Sequence, residues 1–497
     1  MKASTNFVVA SHVNTGTADH DAHNKWPSTK GAVMRLPKLH AEASAPDHVT
    51  PYGGLALLAA LLKRIGAATE IDKRVSLLKI HKPYSESDHV LAHVANLFVG
   101  GECIEDMANL QGSEAARRLF GAIRLPDPTT GGDFLRRFDG RALHALDASI
   151  DAMHARVWKQ RYGKKKREVA TVDMDSTVRE VYGRQKEGAD FSYKGSWSYH
   201  PLLLSLAESN ECLRMINRPG NAPAAGGAKE ALAEVLPLLG THFERIVVRG
   251  DSAFYDADLM NYCDENRVGF ALVVPMMANL IALADALPSE QWKPFRPRQE
   301  RDDAAHSQRE RRPDLRTQTA LRRNKRNLAL AEQWCTEFQY KPTRAHRAFR
   351  LLVRKQRIVE TSTQGELFER CRYRFAITNI EGTSAHEAID QTYLRCDQEN
   401  VIEQFKNGLG GLWMPTGELH SNAAFLVCAR LAFNTKSWLA MTALPEECIR
   451  WDWKRFRFAF VYLAAIIVRH ARAITVRLSR AHRFWRENLT ALEKLRC

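Results

Sequence analysis

Apolar residues recur at helical spacing through the first third of the chain. Leu55, Leu58 and Leu61 share one face of the stretch Pro51–Gly66, and the same period continues through Asp88–Gly101. This spacing predicts a helical N-terminal region over residues 46–168. Residues 1–45 are polar, rich in histidine and without a period, which is typical of a flexible arm.

After residue 168 the pattern changes from helical spacing to alternation. Glu168–Gly183 is rich in β-branched residues, and two further strand-like stretches follow it. A helical stretch at Ala228–Leu239 precedes residues 244–275, which predict a strand, a helix and a strand in succession. Residues 169–275 are therefore predicted to form a mixed α/β layer.

The rest of the chain divides into three predicted parts. Residues 276–384 contain strand-like stretches and are predicted to form a β-rich insertion. Residues 385–440 return to helical spacing, and residues 441–497 are predicted to form a basic helical region. Within it the apolar run Phe458–Val468 predicts a buried helix, because it is too short to span a bilayer. We therefore expect no membrane association.

The composition of the chain indicates a class of binding partner and a cellular compartment. The 497-residue chain has a net charge of +15, which favours a polyanionic partner, most simply nucleic acid. A basic enzyme without a polymeric partner is the alternative. Its nine cysteines include no Cys-x-x-Cys pair, which argues against a zinc site. The scattered cysteines fit a reducing cytosol better than a disulfide framework.

One predicted helix, Tyr393–Gly408, carries charged residues along one edge. At about 100° per residue, Glu399 and Lys406 lie within about 20° of each other, and Arg395 lies one turn before Glu399. Apolar residues beside them would seat the helix against a core. On this stretch alone two hypotheses stay open: a functional edge, or ordinary ion pairing on a surface helix.

Carboxylates from separate elements form a candidate metal site. Asp173 and Asp175 point to one face of a predicted central strand, where charges are costly unless a cation neutralises them. Asp251 directly follows a predicted strand, at the end where open α/β sheets place ligands. With Glu399 these residues supply the hard oxygen ligands that Mg²⁺ prefers. Two such ions would support an in-line displacement at a phosphate.

Three stretches of the chain resemble the DDE transposases of bacterial insertion sequences. Asp173–Leu203 is similar to the family's first-aspartate block, and Val247–Asp256 is similar to its second. Tyr393–Gly410 resembles the Tyr-Arg-Glu-Lys signature of one large branch, although one residue fewer separates the Tyr from the Arg. The Asp-x-Thr pattern identifies Asp175 as the first catalytic carboxylate, with Asp173 as the alternative.

The resemblance implies an RNase H-like catalytic core, formed by residues 169–275 and 385–440. This core would be a mixed five-stranded sheet with flanking helices, interrupted by the β-rich insertion. The N-terminal helices would bind the transposon ends. The stretch Asn422–Met441 resembles a family helix that packs behind the active site, which implies a structural role for Asn434.

The resemblance also implies an activity and its residues. The enzyme would hydrolyse DNA at terminal inverted repeats, and the freed 3′-OH would attack target DNA. Asp175, Asp251 and Glu399 would be catalytic and would bind two Mg²⁺ ions, for which Mn²⁺ substitutes. The implied DNA-contacting residues are Tyr393, Arg395, Lys406 and Trp413. For Trp413, stacking on an unpaired base competes with packing against its apolar neighbours.

The implied partner is double-stranded DNA, bound by a homodimer or higher multimer. The expected location is the bacterial cytoplasm, in association with the nucleoid. Two alternatives on the same fold remain, a nuclease that only cuts and a catalytically inactive DNA-binding protein. A basic structural or RNA-binding protein would have no need for acidic residues on core strands.

Overall fold

The computed structural model describes residues 48–296, 327–361, 367–394, 396–470 and 473–496. The predicted N-terminal arm and the predicted DNA-contacting residue Arg395 lie outside this part of the chain.

Helices make up most of residues 48–162, and polar caps set several of their starts. Ser85 and Asp88 form a capping box, and the side chains of Asp127 and Asp139 each accept a backbone N–H one turn later. After strand β1 (Val49–Thr50) come α1 (Leu55–Arg64), α2 (Ala67–Arg74), α3 (Glu86–Val99), α4 (Met107–Gln111), α5 (Glu114–Leu119), α6 (Pro128–Leu135) and α7 (Gly140–Tyr162).

A large mixed sheet follows, which confirms the predicted mixed α/β class. Its central elements are β2 (Arg167–Ser176), β6 (Leu202–Leu206), β7 (Glu211–Ile216), α8 (Ala228–His242), β8 (Phe243–Gly250), α9 (Ala257–Glu265) and β9 (Gly269–Val274). Between β2 and β6 lies a separate small sheet of β3 (Arg179–Glu180), β4 (Asp190–Phe191) and β5 (Trp197–Tyr199). In the large sheet β8 lies between β2 and β9 and is parallel to both. On the other side of β2, β6 lies between β2 and β7 and is antiparallel to both.

The large sheet is wider than the five strands predicted. The insertion holds α10 (Ala278–Asp285), β10 (Lys293–Pro294), β11 (Asn327–Tyr340), β12 (Phe349–Thr361) and β13 (Leu367–Thr378). Because β13 pairs with β9, the insertion strands continue the same sheet in the order β10-β11-β12-β13-β9-β8-β2-β6-β7. The predicted β-rich insertion is therefore an extension of the core sheet.

The predicted helix Tyr393–Gly408 is divided in the structure. Tyr393 ends helix α11 (Ala385–Tyr393), and a new helix α12 (Cys396–Glu403) runs into a π-helical segment, Gln404–Leu409. The Glu399–Lys406 spacing was predicted from uninterrupted α-helical geometry. The π-helical turn is wider, so that spacing does not extend past Glu403.

The C-terminal region is mixed, not wholly helical as predicted. Its elements are α13 (Leu419–Thr442), α14 (Trp453–Phe460), β14 (Ala465–His470), β15 (Ala473–Leu478) and α15 (Trp485–Leu495). The run predicted as one buried helix, Phe458–Val468, ends α14 and begins β14. Its last residues are β-branched and alternate in exposure, because β14 pairs with both β15 and β1. No helix of the described residues combines the length and apolarity needed to cross a bilayer.

Helix α13 is buried along almost its whole length and closes one edge of the large sheet. It packs on α3, α7 and β7. Asn434 takes the place of a neighbouring strand beside β7, because its side-chain amide accepts from Cys212 N–H (2.7 Å) and donates to Cys212 O (2.9 Å). The amide also lies 3.2 Å from His154 Nε2. This side chain therefore satisfies buried backbone groups at the sheet edge.

We expect Asn434→Ala to lower the free energy of unfolding by about 2–4 kcal/mol, because two backbone groups of Cys212 lose their partner in a buried site. Urea denaturation measures this loss. The control is Asn109→Ala on an exposed helix position, where we expect a change below about 0.5 kcal/mol. Equal small effects of both substitutions would contradict the role of Asn434.

Candidate active site

Two neighbouring parallel strands place four charged residues on one face of the sheet. Strands β2 and β8 pair in register, with Asp173 opposite Arg249 and Met174 opposite Gly250. Alternate residues share a face, so the next pair on the face of Asp173 and Arg249 is Asp175 and Asp251. The ion pair of Asp173 and Arg249 is thus followed, nearer the carboxyl ends of the strands, by two aspartates, Asp175 and Asp251.

The inner pair is a buried ion pair. Arg249 Nε donates to Asp173 Oδ1 (2.6 Å) and Nη2 donates to Oδ2 (2.7 Å), and the two residues are only 7% and 1% exposed. Arg249 Nη1 also donates to the carbonyl of Gln391 at 3.1 Å, which ties α11 to this part of the sheet. Both carboxylate oxygens of Asp173 are therefore engaged by a guanidinium.

The outer pair opens into a solvent-accessible pocket of about 450 Å³. Asp175 and Asp251 both line it. Asp251 Oδ1 accepts from Ala253 N–H (2.9 Å) and caps a 3₁₀ turn, Ser252–Phe254. Asp175 Oδ1 lies 2.7 Å from the backbone nitrogen of Ser176. The turn after β8 thus fixes the direction in which Asp251 leaves the sheet.

The opposite wall of the pocket is a loop held by a buried arginine. Arg218 Nε donates to His200 O (2.8 Å), and its Nη1 donates to the carbonyls of Pro223, Ala224 and Gly226. Burial lowers the pKa of Arg218 to about 10. His200 is also buried, which lowers its pKa, and its Nδ1 lies 2.9 Å from Ala222 O. Because a carbonyl only accepts, Nδ1 carries a proton and donates it to Ala222 O.

Glu399 is not among the residues that line this pocket. It is exposed on α12, and α12 contacts β2, the strand that carries Asp175. Within the residues that the structure describes, no group of three or more His, Cys, Asp and Glu side chains is close enough to hold a metal ion. The structure thus brings Asp175 and Asp251 together at the pocket and leaves Glu399 outside its lining.

Lys406 lies near Asp175 and near two further cations, Lys194 and Arg179, and Arg179 also contacts Trp413. Burial and the charges of Lys194 and Arg179 lower the pKa of Lys406, while Asp175 partly offsets them. The guanidinium of Arg179 lies over the Trp413 ring at 5.7 Å, and Trp413 is 45% exposed. A cationic and aromatic surface therefore continues from Asp175 toward solvent.

Tyr393 lies against the insertion. Its ring is 5.9 Å from the guanidinium carbon of Arg354 on β12 and 5.8 Å from that of Arg374 on β13. Burial raises the pKa of its hydroxyl, and the two arginines oppose that shift. The side chain thus connects α11 to the extended sheet.

Several residues of the site carried no role in the sequence prediction. Arg249 lies two positions before Asp251, so strand alternation puts both on one face, but only the register shows that Arg249 meets Asp173. His200 and Tyr193 lie within the first-aspartate block, where nothing in the local pattern marks them as pocket residues.

The donor chemistry at the pocket fits a hard divalent cation. Two carboxylates on adjacent strands repel each other unless a cation or a proton neutralises them. Their oxygens are the ligand type that Mg²⁺ and Mn²⁺ take, with water and phosphate completing the coordination. Asp175 and Asp251 can therefore serve as a two-carboxylate platform for such an ion.

Comparisons with known proteins identify a family and show similarity to solved structures. A family model described as transposase DDE domain group 1 matches residues 38–497. Among solved structures the chain is similar to the piggyBac transposase in a cryo-EM structure of its synaptic complex with hairpin DNA. The identity is 10%, the match covers 82% of each chain, and the TM-score is 0.31. No curated protein matches the chain.

The buried ion pair predicts a large effect of Asp173 on stability. We expect Asp173→Ala to lower the free energy of unfolding by about 3–5 kcal/mol, because Arg249 is left as a buried charge without its carboxylate. Urea denaturation measures the change, and Asp173→Ala combined with Arg249→Met should recover part of it.

The matched control for this prediction is an exposed Asp–Arg pair. Asp258 accepts from Arg344 at 2.7 Å on the surface. Asp258→Ala should cost less than about 1 kcal/mol, because exposed pairs contribute little. A loss of similar size at both aspartates would contradict the assignment of Asp173 to a stabilising role.

Proposed function

Because the chain belongs to the transposase DDE domain group 1 family, we propose that it cleaves DNA at transposon ends and joins those ends to target DNA. The observation that carries the proposal is the placement of Asp175 and Asp251 at neighbouring positions of parallel strands, in one accessible pocket. Such a pair at the carboxyl ends of strands suits metal-assisted chemistry at a phosphate.

We propose that the strands β7-β6-β2-β8-β9 are the RNase H-like core expected from the resemblance. Their mixed order supports this correspondence, because β7, β2, β8 and β9 run in one direction and only β6 runs in the opposite direction. The origin in a bacterial insertion sequence and the Tyr-Arg-Glu-Lys branch belong to the same proposal, on the three stretches of sequence that resemble that group.

In this proposal Asp175, Asp251 and Glu399 hold Mg²⁺ or Mn²⁺. Two bound ions would supply an activated water and charge stabilisation at the leaving oxygen. Glu399 would join the two aspartates by a movement of α12, which already contacts β2. The buried Asp173–Arg249 pair would keep the strands in register beneath the reacting phosphate and would not contact it.

Positive charge near the pocket would bind the DNA backbone. Lys406 lies close enough to Asp175 for its pKa to respond to that carboxylate. Arg395, Tyr393 and Trp413 complete the proposed DNA contacts. Phosphate contacts of this kind position a duplex without reading its sequence. A homodimer or larger multimer on paired ends, in the bacterial cytoplasm with the nucleoid, is the proposed assembly.

The second candidate is a cut-only or catalytically inactive DNA-binding protein on the same fold. It is favoured by the position of Glu399 outside the pocket lining. Joining of a precut end to target DNA in vitro separates these functions. The proposed transposase gives joined products, a nuclease gives only cleaved ends, and an inactive protein gives neither.

We expect Asp251→Asn to reduce cleavage of the element's own terminal sequences at least about 100-fold. Loss of a metal ligand should reduce activity at least as much as loss of a residue that only hydrogen-bonds to a ligand. Gel analysis of labelled ends measures cleavage, and fluorescence anisotropy should show that DNA binding persists. Asp258→Asn, an exposed aspartate outside the pocket, is the control and should cleave normally. Full cleavage by Asp251→Asn would refute the assigned site.

Glu399→Gln tests whether α12 completes the site. We expect loss of cleavage of similar size to that of Asp251→Asn, with Mg²⁺ or Mn²⁺ present, because the amide is a weaker ligand for a hard cation. Glu403→Gln, one turn further along the same helix and also exposed, should keep cleavage within about threefold, since it changes only a surface charge. Equal activity of the two variants would exclude Glu399 as a ligand.

A further inference from the structure

The small sheet of β3, β4 and β5 carries aromatic side chains into solvent beside the pocket. Tyr182 is 88% exposed, Phe191 63% and Tyr193 77%. Each of these large exposed aromatic side chains forgoes the stabilisation of burial. One of the three, Tyr193, also lines the pocket of Asp175 and Asp251.

Tyr193 is held on a stiff turn between β4 and β5. Ser192 N–H donates to Ser196 O (2.9 Å), Gly195 N–H donates to Ser192 O (2.8 Å), and the two serine hydroxyls lie 3.0 Å apart. Gly195 has φ +76°, which a residue with a side chain rarely adopts. The turn therefore holds the backbone of Tyr193 in place, so that less backbone ordering is left to occur when a ligand binds.

One cation lies against this ring, and that cation belongs to a group of three. The Lys194 ammonium lies 5.5 Å from the Tyr193 ring centre. Burial lowers the pKa of Lys406, and the positive charges of Lys194 and Arg179 lower it further. Cations gathered in this way repel one another, and phosphates bound between them would relieve that repulsion. The aromatic ring and the cations together match a nucleotide, with a flat base and an anionic backbone.

We propose that Tyr193 stacks on an unpaired base of the DNA strand whose phosphate enters the Asp175–Asp251 pocket. Lys194, Arg179 and Lys406 bind the adjoining phosphates. The base is unpaired because bases inside a duplex are covered on both faces by their neighbours. This inference rests on the proposed function, since it assumes that the pocket receives a DNA strand. To the proposed function it adds Tyr193 as a DNA contact. It also specifies that the base next to the cleaved bond is separated from its pairing partner.

The test compares binding of two DNA probes without divalent ions, so that no cleavage occurs. One probe is a blunt duplex, and the other is the same duplex with an overhang of about six thymidines. We expect the full chain to bind the overhang probe about tenfold more tightly, and Tyr193→Ala to lose that preference. Tyr193→Phe keeps the ring and should keep the preference. The wild type and Tyr193→Phe should quench a fluorescent adenine analogue placed in the overhang, whereas Tyr193→Ala should not.

Tyr182→Ala is the matched control, because Tyr182 is an exposed tyrosine two residues after β3 and does not line the pocket. It should retain the preference for the overhang. The proposal is overturned if the wild type binds both probes alike, if Tyr193→Ala retains the preference, or if Trp413→Ala and not Tyr193→Ala removes it.

Failure of the proposed function would look different. Absence of cleavage by the wild type, together with an overhang preference that depends on Tyr193, would reject the enzyme and keep the stacking site. Asp251→Asn should preserve that preference, because its carboxylate is not part of the stacking surface. Loss of the preference in Asp251→Asn would overturn the separation between the two roles and with it the proposal.

Discussion

The register between the parallel strands β2 and β8 is the constraint on which the site depends. It sets Asp173 against Arg249, and just beyond the last paired residues Asp175 and Asp251 line one pocket. A slip of one residue would turn every side chain of one strand to the other face of the sheet. The buried ion pair therefore does more than neutralise two charges, because any other register would leave Asp173 and Arg249 buried without partners.

The contrast between the two pairs explains how one strand carries carboxylates of different character. Asp173 is enclosed and bound at both oxygens by a guanidinium, whereas Asp175 lies at the wall of an open pocket. A carboxylate with a permanent cation beside it gains little from a metal ion, while two adjacent acids at a pocket gain much. Burial and pairing thus distinguish Asp173, held within the sheet, from Asp175, which lines the pocket two residues away.

The second half of the chain fixes the site from outside the sheet. Arg249 holds the carbonyl of Gln391, so the same guanidinium that pairs with Asp173 also anchors the helix that ends at Tyr393. The next helix, α12, runs into a π-helical turn that contains Lys406. A π-helical turn is wider than an α-helical one and often occurs at functional sites.

The sequence by itself determined the mixed α/β class and predicted Asp175 on a strand and Asp251 directly after one. These follow from local alternation and from residues that lie next to one another in the chain. The structural role of Asn434 was implied by the family resemblance. It did not determine the partner of Asp173 or the nine-stranded width of the sheet. Both depend on pairing between distant segments, which local patterns do not encode. The short apolar run at Phe458–Val468 was equally compatible with helix and strand, and only the pairing of β14 with β1 and β15 decided it.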